Sequence, residues 1–276
     1  MSVPQIHFEL PGAVQMPAVA LGTWPMQGGE AAQAVESALR LGYRHIDTAE
    51  NYENEEGVGE GIRRSGLERS QVFITTKFNK KWHSVKGARQ AWENSVQRLG
   101  VEYLDLFLIH WPNPDQGTYL EAFEGMVKLQ EEGKVRAIGV SNFKPTHLQH
   151  LLKAGLEPAV NQIQMNPEFA NPTAQAFHRE HDIRTVAYSP LGRGKGLLEQ
   201  PVLVELGEKY GKSASQIALR WLVQQGIGAA AKSSSPERQE ENLAIFDFEL
   251  NSEDIERINS LDTGQLANLD ADNFGH

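Results

Sequence analysis

The sequence predicts an α/β fold in which strands and helices alternate along the chain, and three observations carry that expectation. Eight apolar runs with strand character recur through the 276 residues, mostly at intervals of about 25 to 30. Segments of helical period lie between them. Gly42, Gly66, Gly100, Gly133 and Gly211 each follow a helical run, where a left-handed C-cap is needed. Such alternation suits a doubly wound sheet or a (β/α)₈ TIM barrel, and the length favours the barrel, whose typical size is about 250 residues. No low-complexity linker or charge block divides the chain, so one domain is expected over residues 1–276.

Taken in order, Gln5–Pro17 precedes the first repeat and turns at Pro11–Gly12, which predicts a short N-terminal hairpin flooring the barrel. The strand runs are Ala18–Leu21, Tyr43–Ile46, Val72–Thr76, Leu104–Ile109, Val135–Val140, Val160–Gln164, Arg184–Tyr188 and Ile227–Ala231. Helical periodicity covers Ala31–Leu41, Val85–Leu99, Thr118–Glu132, Thr146–Leu152 and Ser213–Gln225. After Asp262 the periodicity weakens into a short, polar C-terminal tail placed to hang over one mouth.

Composition bounds the function. A chain with 40% hydrophobic and 22% charged residues is ordinary globular material. Its 26 Lys and Arg against 36 Asp and Glu give a net charge of −10. That balance argues against a general nucleic-acid or anionic-membrane binder, while a local basic pocket stays open. The chain has no cysteine, which removes disulfides, iron–sulfur clusters, Cys-based zinc sites and thiol nucleophiles. Met1–Leu10 lacks the basic and apolar regions of a secretory leader, and no apolar run approaches membrane-spanning length, so a soluble, cytoplasmic protein is expected.

A barrel enzyme builds its site at the C-terminal strand ends. The residues there are Gly22-Thr23-Trp24, Asp47 with Tyr52 close behind, Lys77, His110-Trp111, Ser141-Asn142, Gln162, Tyr188-Ser189 and Lys232-Ser233. Four of them suit carbonyl reduction, which needs a proton donor beside the substrate oxygen. Tyr52 is a poor acid at its free pKa of about 10, so an ammonium neighbour, Lys77, would favour its phenolate. Asp47 would keep that ammonium charged, and a neutral His110 would donate to the same oxygen. Each residue alone also has a plain reading: a helix cap, a pocket wall, a surface lysine, a core histidine. Their convergence on one face favours the chemistry.

These same residues stand in a familiar order. Arg44-His45-Ile46-Asp47-Thr48-Ala49, Tyr52 with Asn54-Glu55, Thr75-Thr76-Lys77 and Ile109-His110-Trp111-Pro112 resemble the signatures of the aldo-keto reductase family. Gly139-Val140-Ser141-Asn142-Phe143, Asn161-Gln162, Tyr188-Ser189-Pro190-Leu191-Gly192 and Lys232-Ser233 continue the match. The resemblance runs from about Gly22 to Leu261. Within the family, the tail and the Tyr188–Lys195 stretch look most like the bacterial 2,5-diketo-D-gluconate reductase branch.

The resemblance implies a (β/α)₈ barrel, a nicotinamide cofactor and an Asp47–Tyr52–Lys77–His110 tetrad with Tyr52 as general acid. Hydride would pass from nicotinamide C4 to the carbonyl carbon. Read physically, Tyr188 offers an aromatic face for the ring, and Ser141, Asn142 and Gln162 offer partners for its carboxamide. Gly22, Thr23, Trp24, Ser189, Leu191 and Gly192 complete the expected cofactor residues there. Gly57-Val58-Gly59 lies in an expected helix and fails the Rossmann spacing, and Gly192-Arg193-Gly194-Lys195-Gly196 fails the P-loop spacing. By resemblance, that second stretch folds over the pyrophosphate.

Lys232, Ser233, Ser234 and Arg238 gather hydroxyls and positive charge, and the family places an adenosine 2′-phosphate here. NADPH is therefore favoured, with NADH a lesser possibility; Glu241 and Asn242 match the adenine edge. The competing reading pairs Arg238 with a glutamate of its own helix. Two departures stand out: Ala231 occupies the place of a common Pro, and Ser234-Ser235 adds no basic residue, which implies a looser phosphate grip.

Trp24, Tyr52, Phe78, Trp82, His110 and Trp111 are the expected substrate walls, with Leu266–Phe274 as a rim. They suit a small carbonyl substrate such as 2,5-diketo-D-gluconate, methylglyoxal or an aryl aldehyde. The pairs His147/His150 and His178/His181 have helical spacing but lack a third ligand, so no metal is assigned. Two other readings remain: a cofactor-binding barrel without turnover, and a Schiff-base aldolase using Lys77. A monomer without nucleic-acid or membrane partners is expected.

Overall fold

A computed structural model of the chain describes residues 5–265 and 269–276. Two antiparallel strands, β1 (His7–Leu10) and β2 (Val14–Pro17), come first. Eight parallel strands follow: β3 (Val19–Gly22), β4 (His45–Asp47), β5 (Phe73–Phe78), β6 (Leu104–Ile109), β7 (Val135–Ser141), β8 (Val160–Gln164), β9 (Arg184–Tyr188) and β10 (Gly228–Lys232). They close in the order β10-β3-β4-β5-β6-β7-β8-β9. The TIM barrel and the N-terminal hairpin expected from the sequence are both present.

The crossovers are helical. They are α1 (Gly28–Leu41), α2 (Glu55–Ser65), α3 (Val85–Leu99), α4 (Tyr119–Glu131), α5 (Pro145–Lys153), α6 (Pro172–Glu180), α7 (Pro201–Tyr210) and α8 (Ala214–Gln224), with α9 (Pro236–Leu243) and α10 (Ser252–Asn259) after the last strand. Periodicity singles out α1, α3, α4, α5 and α8. It passes over α2, α6, α7, α9 and α10, although Gly57-Val58-Gly59 of α2 lies in an expected helix. In α9 only Gln239, Asn242 and Leu243 are buried, so the helix carries almost no apolar stripe. Its start rests on an N-cap, Ser235, whose hydroxyl accepts from Arg238 N–H.

The glycine pair that fails as a dinucleotide fingerprint has a packing reason. A Cβ on Gly57 would collide with the Gly28 carbonyl oxygen, and one on Gly59 with that of Leu99. Glycine there lets α2 press its backbone against α1 and α3. Tyr43, expected to open β4, instead ends the preceding turn: its N–H donates to Ala38 C=O and its hydroxyl to Gln239 C=O.

The hairpin closes the N-terminal mouth. Met16 is fully buried beside Gly228, Arg184 lies 4.8 Å over the Phe8 ring, and His45 Nδ1 is 3.0 Å from the Pro17 carbonyl oxygen. One hydrophobic cluster joins this floor to the strands and to α10. The opposite mouth is left for chemistry. Among the described residues no helix is long and apolar enough to cross a membrane.

Outside the lumen, buried His178 ties α6 to the sheet. Its Nε2 accepts from Asn161 Nδ2 at 2.9 Å, so Nδ1 carries the proton and donates to Thr185 Oγ1 at 2.8 Å. Asn161 Nδ2 also donates to Phe143 C=O at 2.8 Å, which steadies the turn after β7. Burial, with the nearby Arg179 charge, pushes the His178 pKa down to about 4. An unfolded histidine titrates near 6.5, so below that pH the unfolded chain takes a proton that the fold refuses, and stability falls with acidity. Between pH 7 and 5 this group removes about 2 kcal/mol. Chemical denaturation of His178→Gln at both pH values should show that much less acid sensitivity than the unsubstituted chain; an unchanged difference would refute the assignment.

Candidate active site

At the C-terminal mouth the strand ends surround a cavity of about 870 Å³. Asp47 ends β4, Lys77 lies near the end of β5, and His110 follows β6. Tyr52 closes a short 3₁₀ turn, Glu50–Tyr52. Asn54 pins that turn from behind. Its Nδ2 donates to the carbonyls of Thr23 and Met26 at 3.1 and 2.8 Å, and its Oδ1 accepts from Thr48 Oγ1 at 2.8 Å. Gln27 Nε2 donates to Tyr52 C=O at 2.9 Å.

These elements bring the four expected residues together. Lys77 is 1% exposed, and its Nζ donates to Asp47 Oδ1 at 2.7 Å and to Thr48 C=O at 2.9 Å. The same ammonium lies 5.3 Å from the centroid of the Tyr52 ring, close enough for its charge to act on the Tyr52 hydroxyl. The His110 ring meets the Tyr52 ring edge-on, with centroids 5.9 Å apart.

Electrostatics assigns the protons. Burial opposes charge on Lys77, but Asp47 and Tyr52 outweigh it and raise its pKa. Burial raises the Tyr52 pKa, and Lys77 offsets part of that rise without reversing it. Burial wins, and Tyr52 holds its proton in the resting site. Burial first, then the charges of Lys77 and His276, drive the His110 pKa well down, which leaves the imidazole neutral. The arrangement is a phenol, a neutral imidazole and a fixed cation around one point: a proton donor with a charge ready to stabilise what it leaves behind.

The residues expected to meet a carboxamide are wired to one another. Tyr188 Oη donates to Asn142 Oδ1 at 2.8 Å, and Asn142 Nδ2 donates to His110 C=O at 3.0 Å and Ser141 Oγ at 3.1 Å. Ser141 Oγ donates to Gln162 C=O at 2.9 Å. Gln162 Nε2 donates to Asp47 Oδ2 at 2.6 Å. Gly22, Thr23, Trp24, Ser189, Leu191, Lys232, Ser233, Arg238, Glu241 and Asn242 line the same cavity. Gly192 and Ser234 stand beside the wall: Gly192 turns the loop at a φ of 72° against Leu197, and Ser234 accepts from Lys232 Nζ.

Arg238 forms no ion pair among the described residues, which removes the glutamate-pair reading. Lys232 approaches Glu30 only to 3.9 Å. Two cations beside the Ser233 hydroxyl, at the start of α9, fit a phosphate. The Tyr188 ring, with Arg193 5.9 Å from its centroid, and the amide and hydroxyl groups of Ser141, Asn142 and Gln162 in the same cavity wall fit a nicotinamide.

Two expected substrate walls are elsewhere. Phe78 is fully buried, 4.8 Å from the Phe107 ring centroid and edge-on to His83, because its β5 position points into the protein. Trp82 is not among the residues lining the cavity; its Nε1 donates to Glu50 Oε1 at 2.9 Å. Trp24 and Trp111 do line it. The tail supplies the other wall: Phe274 packs edge-on to Trp111 at 4.8 Å, and the His276 ring stands 5.8 Å from that of His110. Lys144 holds Asp270 and Asp272, and His147 Nε2 reaches Asp272 at 2.9 Å. Residues 266–268 of the anticipated rim lie outside the described residues.

Sequence reasoning missed His276 and Ser215 as lining residues, and took in Arg193 only as part of the stretch expected over the pyrophosphate. Arg193 stacks 4.9 Å over Trp24 and bonds Ser189 Oγ through Nε. Its place between the glycines of a suspected cofactor loop was the available signal; His276 and Ser215 had none. His150 Nδ1 faces the Tyr119 hydroxyl at 3.0 Å, so His147 and His150 are each turned to protein partners.

The sequence matches the model of the Aldo/keto reductase family over residues 18–263. It is 44% identical over 272 residues to the 9,11-endoperoxide prostaglandin H2 reductase of Trypanosoma cruzi, covering 96% of this chain and 94% of that protein. To the methylglyoxal reductase DkgA of Escherichia coli it is 40% identical over 262 residues, covering 94% of each. Among solved structures, a mutant of Gox0644 in complex with NADPH superimposes with a TM-score of 0.94 at 36% identity, covering 99% of each chain. The Bombyx mori aldo-keto reductase in complex with NADP superimposes with a TM-score of 0.89 at 34% identity, covering 96% of this chain and 95% of that one.

A protonated, twice-bonded Lys77 has no lone pair for carbinolamine formation. Borohydride added with a small aldehyde at neutral pH should leave the peptide carrying Lys77 at its native mass. A reductively alkylated Lys77 would restore the aldolase reading.

Proposed function

The chain belongs to the aldo/keto reductase family and is an NADP-dependent oxidoreductase, and from that premise we propose that it reduces small aldehydes, ketones and dicarbonyls to alcohols with NADPH. The observation that carries this reading is the Tyr52 phenol, lining an open cavity, beside a buried Lys77 that Asp47 keeps charged.

The cofactor supplies a hydride to the carbonyl carbon. Tyr52 and the neutral His110 are the groups for the carbonyl oxygen: two donors that orient it and draw charge onto it. As negative charge develops there, the Tyr52 hydroxyl gives up its proton. The phenolate left behind faces the Lys77 ammonium, and Asp47 keeps that ammonium protonated. The ion pair thus acts where charge appears, after proton transfer. Ser141, Asn142, Gln162 and Tyr188 hold the nicotinamide end, while Lys232, Ser233 and Arg238 hold a 2′-phosphate.

Trp24, Trp111, Phe274 and His276 frame a mouth suited to a compact carbonyl compound. The likeness to the methylglyoxal reductase of E. coli supports methylglyoxal and comparable dicarbonyls, 2,5-diketo-D-gluconate among them, as the first substrates to try. We read the chain as one domain that works as a cytoplasmic monomer. Of its large exposed apolar side chains among the described residues, Ile6, Trp24, Val204 and Leu269, two border the cavity.

Tyr52→Phe should lower kcat for methylglyoxal reduction by about 10²–10⁴-fold, the usual worth of a general acid, with NADPH affinity by fluorescence titration within about twofold. Near-normal turnover would remove Tyr52 as the acid. In a second assay, Lys232→Ala/Arg238→Ala should shrink the NADPH-over-NADH preference by about 10- to 100-fold, as expected for lost charge-assisted bonds to phosphate. An unchanged preference would place the 2′-phosphate elsewhere. If no carbonyl compound is consumed while NADPH binds, the non-catalytic barrel becomes the better account.

A further inference from the structure

The hydrogen bond between Gln162 and Asp47 crosses the barrel. Asp47 ends β4 and Gln162 lies on β8, four strands away in either direction around the closed sheet. Both residues are buried, at 4% and 2% exposure, and the contact is 2.6 Å. An ionised carboxylate can only accept a hydrogen bond, so the NH₂ end of Gln162 must face it. The Gln162 main chain is already held, its carbonyl accepting from Asn142 N–H and Ser141 Oγ, each at 2.9 Å. What remains to be decided locally is which end of the amide points to Asp47 and which to the cavity. Asp47 decides it.

The consequence lies on the other side of that amide. Asn142 Oδ1 is occupied by Tyr188 and Ser141 Oγ by Asn142. Among the described residues, Gln162 Oε1 is the acceptor of this trio that carries no partner, on a residue lining the cavity. A nicotinamide carboxamide has an NH₂ that needs such an acceptor.

We propose that Asp47 is a positioning residue for the cofactor as well as the partner of Lys77: through Gln162 it presents an acceptor, not a donor, to the nicotinamide carboxamide. This rests on the NADPH-dependent reading above and extends it, because one carboxylate then serves the acid through Oδ1 and the cofactor through Oδ2.

The test uses binding to the intact protein, without turnover. In Asp47→Asn, the Lys77 ammonium claims the Asn oxygen, so the Asn NH₂ faces Gln162 and turns its amide end for end. NADPH affinity should then fall by about three- to tenfold, the worth of one buried hydrogen bond. In Asp47→Asn/Gln162→Glu the polarity is restored: Asn donates to one Glu oxygen, and the other faces the cavity as an acceptor. That double variant should bind NADPH within about twofold of the unsubstituted chain. Adenosine 2′,5′-bisphosphate, which lacks the nicotinamide, should bind all three proteins alike and report that they are folded.

Asp47→Asn binding NADPH normally, or a double variant no better than the single one, overturns the inference. A loss of bisphosphate affinity parallel to that of NADPH also counts against it, since it marks a general disturbance. If the unsubstituted chain does not bind NADPH, this inference and the proposed function fail together. If the exchange restores binding but no carbonyl compound is reduced, the proposed reaction fails and the role of Asp47 stands.

Discussion

A lysine buried to 1% exposure would ordinarily give up its proton or destabilise the fold. Here Lys77 keeps it because Asp47 stands 2.7 Å away and the Thr48 carbonyl adds a second acceptor. Much of the catalytic mouth is arranged around that pair. Asn54 braces the turn that carries Tyr52 to the ammonium. The cation depresses the His110 pKa further, beyond what burial achieves. Gln162 satisfies the remaining Asp47 oxygen from the far side of the barrel. Replacing the pair with apolar residues could leave a stable barrel, since buried ion pairs add little net stability; the pair is better understood as part of the chemistry.

Proximity of Lys77 to Tyr52 suggests a phenolate, yet the hydroxyl lies where burial raises its pKa more than the ammonium lowers it. A resting phenol beside a resting cation suits reduction. The proton is available when the carbonyl oxygen needs it, and the stabilising charge is already in place, so little reorganisation is required.

Against a net charge of −10, the cavity concentrates cations. Arg193, stacked on Trp24, lines it together with Lys232 and Arg238. Steering of an anionic cofactor is therefore local, set by which lysines and arginines lack close carboxylate partners, and overall charge predicts it poorly. The tail works in the reverse sense: Asp270 and Asp272 meet Lys144 and His147, and that contact brings Phe274 and His276 to the substrate side.

Much of this was legible in the chain itself. The strand runs, the hairpin at Pro11–Gly12 and the C-cap glycines follow from local rules of periodicity and backbone conformation, which act within a few residues. So does the placement of Asp47, Lys77 and His110 at strand ends, because a strand end is a local event; Gln162, also expected at a strand end, instead sits in the middle of β8. Helices such as α9, with no apolar stripe, escaped for the same reason. Phe78 and Trp82 escaped differently: both follow Lys77 closely in sequence, but whether a side chain faces the lumen or the outer layer depends on pleat and on partners such as Phe107 and Glu50. Local patterning was therefore enough for the barrel, its working end and the residue types gathered there. Long-range packing settled the bond from Gln162 to Asp47 across four strands, the arrival of His276 beside His110, and the proton held on Tyr52, because burial and distance are set by residues far apart in the chain.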